Sequence, residues 1–180
     1  LSKSPRDLYK AQTLTDKTLS DVAAMQVNDL QFTQTDGSWT LTDDPDYPVS
    51  QSSIKKMAGT ILQMQTAWTV TAPEADTAYG LDSPDVTAVL TFTDGTSLTV
   101  RFGNAVAAAA DGSDGDSLCY LASDAAPTVV YEVNADSKLA YAVTKESLYE
   151  ETATAETAAS DPVAQYPVGG EDDYADSLPE

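Results

Sequence analysis

Residues 86–103 constrain the fold more tightly than any other stretch of this chain. Val86, Ala88, Leu90 and Phe92 alternate with more polar neighbours, Asp94-Gly95 follows, and Leu98, Val100 and Phe102 resume the alternation. Successive side chains on a strand point to opposite faces, so pairing these two runs one residue out of register would put half of the apolar groups in water. A two-residue turn at Asp94-Gly95 makes that error, because it pairs Leu90 with Thr99. A three-residue loop of Thr93, Asp94 and Gly95, a type I turn closed by a glycine bulge, pairs Leu90 with Leu98 and Val86 with Phe102 instead. The other Asp-Gly site demands a different turn. From Met25 onward a period-two pattern carries Leu30 and Phe32 to Asp36-Gly37 and on to Trp39 and Leu41. A two-residue type I′ turn there sets Phe32 opposite Leu41 and Gln34 opposite Trp39.

Between the hairpins, Ile54, Met57, Ala58, Ile61, Leu62 and Gln65 recur at the spacing of one helical face, which predicts an amphipathic helix over about 51–67. Pro48 and Ser50 mark its start, with the Ser50 hydroxyl as N-cap. Gly59 costs such a helix about 1 kcal/mol against alanine, so it is expected where the helix comes close to a strand. Residues 104–117 form a loop of Ala, Gly and Asp. Strand composition returns over 118–122 and 128–133, and a short helix is expected over 135–143. The fold class is therefore α+β, with antiparallel hairpins forming a sheet packed by one main helix and a short C-terminal helix.

Charge and composition divide the chain into three parts. Residues 1–17 hold Lys3, Arg6, Lys10 and Lys17, four of the nine cations, and read as a lead-in segment. A single domain is expected over 18–150. Residues 151–180 contain eight acidic residues, no Lys or Arg, and several Pro and Gly, the composition of a disordered or loosely packed tail.

Several function classes are disfavoured at once. The net charge of −20 opposes nucleic acid and anionic membrane surfaces as partners, since both are bound through clustered cations. No histidine is present, which removes Ser-His-Asp, Cys-His and His-metal chemistry. The single thiol, Cys119, can form no internal disulfide and no cysteine zinc site, and in an apolar strand it reads as a small buried hydrophobe. Ser52 and Ser53 stand three residues before Lys55 and Lys56, as in serine acyl-enzymes, but the companion motifs are missing and helix capping explains the same letters. Asp111, Asp114 and Asp116 lie on a flexible loop of the kind that offers oxygen ligands to calcium, although an EF-hand would put its fifth ligand on Leu118 and its twelfth on Ala125. Asp43, Asp44 and Asp46, between Leu41 and the helix, are expected to build turns with Pro45 and Pro48. No catalytic residue and no cofactor is implied; Trp39, Trp68 and Tyr79 are the candidates for interaction or core. A competing expectation is a carboxylate-based or calcium-dependent module acting on carbohydrate or binding a ligand, and another is a structural spacer.

Several stretches together resemble a known family. Trp39-Thr40-Leu41, the 45–49 segment, the helix leading to Trp68, Tyr79-Gly80-Leu81-Asp82-Ser83-Pro84, the 86–103 hairpin, Tyr120 and the 129–133 strand resemble the bacterial family catalogued as domain of unknown function 4340, over about residues 14–150. The resemblance implies a membrane-anchored or exported protein of the cell envelope, with another envelope protein or an ABC-transporter component as partner, and supplies no catalytic residues. A first residue of Leu1 rather than methionine, followed by a basic lead-in, carries the same expectation of an extracytoplasmic domain anchored through a preceding segment.

Overall fold

The computed structural model of the chain describes residues 5–107 and 117–150. Among the described residues, eight strands form one sheet: β1 (Val22–Val27), β2 (Leu30–Thr35), β3 (Ser38–Leu41), β4 (Thr66–Val70), β5 (Val86–Phe92), β6 (Ser97–Ala105), β7 (Leu118–Ser123) and β8 (Val130–Asn134). Their order across the sheet is β3-β2-β1-β5-β6-β7-β8-β4. All pairings are antiparallel. Two meanders meet at β1 and β5, and β4 crosses over to the far edge beside β8. The α+β class is thus observed.

Both hairpin registers are those the alternation demands. Phe32 lies opposite Leu41 and Gln34 opposite Trp39, across a turn in which Asp36 and Gly37 take φ of 51° and 83°, the double positive φ of a type I′ turn. Val86 lies opposite Phe102 and Leu90 opposite Leu98. At this second turn only Gly95 has positive φ. The Gly95 amide donates to Phe92 O at 3.0 Å and the Phe92 amide to Thr96 O at 2.8 Å, as a three-residue loop with a glycine bulge requires.

Helix α1 (Gln51–Leu62) lies against one face and buries Ile54, Met57, Ala58, Ile61 and Leu62. Ser50 caps it, its hydroxyl accepting from the Ser53 amide at 3.3 Å. The helix ends five residues short of the expected 67. Gln63 leaves helical geometry with φ −107° and ψ 8°, and the β-branched and aromatic residues that follow pair with β8 instead. Gln65, which completed the helical stripe in sequence, is exposed and forms an isolated bridge with Thr13. Gly59 does not serve a close approach either, since a Cβ there would meet only Gln63 Nε2 at 4.0 Å. The expected helix over 135–143 is present as a 3-10 helix, Ala135–Tyr141. Its Tyr141 packs beside α1: the ring lies 5.4 Å from Phe102 and the hydroxyl donates to Met57 O at 2.7 Å. Strands β1 and β4 were not foreseen in the sequence pattern.

The core between sheet and helix is filled by Phe32, Trp39, Leu41, Ile54, Met57, Leu90 and Phe102, among others. Trp39 is 1 % exposed, and its indole N–H finds no acceptor among the described residues. A smaller cluster of Leu81, Ala122 and Val130 forms on the opposite face, where Val70, Tyr79 and Tyr120 pack against it. The segment carrying Tyr79 and Leu81 can lie that close to β6 because residue 103 is glycine: a Cβ there would stand 2.2 Å from Tyr79 O.

Trp39→Ala is expected to cost about 3–5 kcal/mol in urea unfolding, the penalty for deleting a large buried ring. The two glycines should respond in opposite directions. Gly59→Ala should raise stability by about 0.5–1 kcal/mol, because the helix gains propensity and nothing is displaced. Gly103→Ala should lower it by about 1–3 kcal/mol, because the added methyl forces the Tyr79 backbone away.

Candidate functional site

Antiparallel pairing of β4, β8 and β7 sets three side chains in a row on the face away from α1. Trp68 lies opposite Glu132, and Glu132 opposite Tyr120. Glu132 is 4 % exposed. Burying an ionised carboxylate is expensive unless an opposite charge and hydrogen bonds replace its water.

Arg6 supplies both. It belongs to a short 3-10 turn, Arg6–Leu8, and its guanidinium forks onto the carboxylate: Nη1 donates to Oε2 at 2.8 Å and Nη2 to Oε1 at 3.0 Å. The same group stacks over Trp68, with Cζ 4.9 Å from the ring centroid. Planar bidentate bonding plus stacking on an aromatic face suits guanidinium and no other side chain. Tyr9 completes the indole's surroundings at 5.3 Å between centroids. Its hydroxyl lies 2.7 Å from Thr66 Oγ1 and 2.6 Å from Thr69 Oγ1. Further along, the Gln12 amide donates to Thr66 Oγ1 and the Thr66 amide to Gln12 O, each at 2.9 Å. Residues 5–13 therefore run as a strap beside the free edge of β4.

The other end of the row is closed by Tyr79, which meets Tyr120 edge to face at 4.8 Å. Its hydroxyl accepts from the Glu74 amide at 3.0 Å, and its carbonyl accepts from the Asn104 amide at 2.8 Å. Arg101 holds the same segment, donating to Leu81 O at 2.7 Å and to Asp76 Oδ2 at 3.0 Å.

Of the residues singled out in the sequence, Trp68 and Tyr79 meet on this face, joined through Glu132 and Tyr120, whereas Trp39 lies in the core under α1. Asp111, Asp114 and Asp116 lie outside the described residues, as does the acidic stretch 151–180. Among the described residues, no three acidic or cysteine side chains converge as metal ligands. Asp44 does build a turn, its carbonyl accepting from the Tyr47 amide at 3.0 Å, but its carboxylate pairs with Lys145 at 2.7 Å. Cys119 is fully buried, and burial pushes its thiol above the usual range. Sequence reasoning named Arg6 only as one cation of the lead-in and Tyr120 only within the family resemblance, and gave Tyr9 and Glu132 no role. Glu132 left a signal of its own, as a lone charge inside the otherwise apolar run 129–133.

Burial also raises the phenols of Tyr120 and Tyr141 above their ordinary 10.0, with the Glu132 charge adding to the effect at Tyr120. A group held protonated in the fold but free to ionise in the unfolded chain contributes its full stability below the unfolded pKa and loses it as pH rises. Melting temperature should therefore begin to fall on the alkaline side above about pH 9, where the Cys119 thiol of the unfolded chain ionises, and fall further above about pH 10, with tyrosinate absorbance appearing together with unfolding. Comparison with protein-family models, with curated proteins and with solved structures finds no match for this chain.

Proposed function

We propose that this chain is a non-catalytic, extracytoplasmic domain of a bacterial envelope protein and works by contact with another envelope protein, a transporter component being the partner class that the family resemblance implies. The observation that carries the non-catalytic part is the state of Glu132. It is the one buried acid among the described residues, the kind of position in which a general acid or base would be sought. Here both carboxylate oxygens are occupied by the Arg6 fork. The acids Asp44, Asp76, Asp85 and Asp94 lie at the surface in ion pairs with Lys145, Arg101, Lys138 and Lys17. A surface so rich in carboxylates and so spare in cations also suits a solvated domain outside an anionic bilayer more than one lying on it.

Location can be read with a thiol label. Cys119 is buried and its thiolate disfavoured, so the native protein should stay unlabelled by a membrane-impermeant maleimide. Leu139 is 70 % exposed, and Leu139→Cys should label from outside intact cells, after permeabilisation of the outer membrane where one exists. Labelling that appears only after lysis would overturn the extracytoplasmic reading.

A further inference from the structure

Receptor and occupant are unequally held at the Arg6 contact. Glu132 belongs to β8, flanked on both sides by paired strands, with 5 % of its side chain exposed. Arg6 has 51 % of its side chain exposed. No residue of 5–17 is buried, and Leu8 is 64 % exposed. Among the strap's contacts with the sheet are the Arg6 fork, the Arg6 and Tyr9 contacts with the Trp68 ring, the Tyr9 hydroxyl, and the Gln12–Thr66 and Thr13–Gln65 contacts at the edge. Segments with little buried apolar surface open locally at a small fraction of the global unfolding free energy. The row beneath, built into the sheet, stays formed when they do.

That row has the composition of a cation receptor. A carboxylate set between Trp68 and Tyr120 offers two acceptor oxygens and aromatic surface on either side, and Trp68 already carries a guanidinium at stacking distance. We propose that Trp68, Glu132 and Tyr120 form a guanidinium-binding site that the chain's own Arg6 keeps closed, and that an arginine side chain of a partner protein takes Arg6's place when residues 5–13 lift. This rests on the reading of the domain as a contact module and names the chemistry of the contact. Arg6 competes at the high effective concentration of a tethered group, so free guanidinium alone binds the intact protein poorly and an arginine-bearing segment must add contacts along the bared edge.

Chemical rescue of the full chain tests the site without a partner in hand. Arg6→Ala should melt several degrees below the wild type, and methylguanidinium at millimolar concentration should restore part of that loss, with methylammonium restoring less. The wild type should not respond. The double variant Arg6→Ala, Glu132→Gln should not respond either. Equal shifts in the single and double variants, or none in the single variant, would overturn the site. Should Arg6→Ala fold poorly, Arg6→Gln keeps side-chain bulk without the charge, and methylguanidinium should still raise its melting temperature. Opening is read separately on the wild type by hydrogen exchange: the Thr66 amide, bonded to Gln12 O, should exchange much faster than the amides of β8. Equal protection would mean that the strap does not lift. All of these readouts are independent of cellular location, so their failure and a failure of surface labelling are distinguishable.

Discussion

Backbone pairing between β1 and β5 joins two meanders that would otherwise each end in an open edge. Met25 lies opposite Leu90 and Val27 opposite Ala88, so the inward rows of β1 and β5 become continuous and α1 can lie over both. A three-stranded β1-β2-β3 ribbon has too little apolar surface to stand by itself. The pairing also fixes where the remaining edges fall, at β3 and β4, and both are blunted. At β3 the Gln51 side-chain amide imitates a neighbouring strand: its Oε1 accepts from the Trp39 amide and its Nε2 donates to Trp39 O, both at 2.7 Å. At β4 the strap does the same work through Gln12 and Thr13. Unpaired edges invite pairing with other chains, and two different local devices prevent it here.

What could be read from the sequence follows from which contacts are local. The turns at Asp36-Gly37 and Asp94-Gly95 are legible because alternation on both flanks and turn chemistry at the centre must agree, and only one loop length satisfies both. Strand β1 is obscured by Ala23 and Ala24, which weaken the alternation, and by the bulge between Val22 and Ala24 that breaks it. Asn28, at φ 52°, was an available sign of the turn between β1 and β2. Strand β4 was absorbed into the helix because Gln65 happens to fall on the helical stripe; its true partner, β8, lies some sixty residues away, and local spacing cannot report it. Trp68 and Tyr79 stood out as large aromatic residues. Their connection runs through Glu132 and Tyr120 by pairing between distant strands, and the arginine that neutralises Glu132 lies 126 positions from it; no periodicity encodes either.

Cations are scarce in a chain of net charge −20, and the structure uses them as links between segments far apart in sequence. Lys17 reaches Asp94, Arg101 reaches Asp76, Lys138 reaches Asp85 and Lys145 reaches Asp44. These pairs sit at the surface, where water and salt screen them and their contribution to stability is small. Their role is to choose among loop arrangements more than to hold the fold. Lys138 shows the pattern: besides Asp85 it donates to Gly103 O at 2.9 Å, tying the 3-10 helix to β6 where its register with β7 shifts.

The Arg6 pair differs because only one partner is solvated. A surface pair that breaks returns two charges to water, whereas breaking this one leaves a carboxylate stranded in the sheet, so the folded state favours a cation at Glu132 whatever its source. The strap and any incoming arginine are therefore thermodynamic competitors, each weakening the other by the same factor. Lifting the strap also removes Gln12 from Thr66 and Thr13 from Gln65, which bares the β4 backbone beside the bared carboxylate. A segment arriving in extended form would meet an unpaired strand edge for its main chain and a forked acceptor for its arginine, the combination of backbone affinity and side-chain selectivity that strand addition uses elsewhere. Edge protection and charge neutralisation are thus carried by the same short strap in this fold.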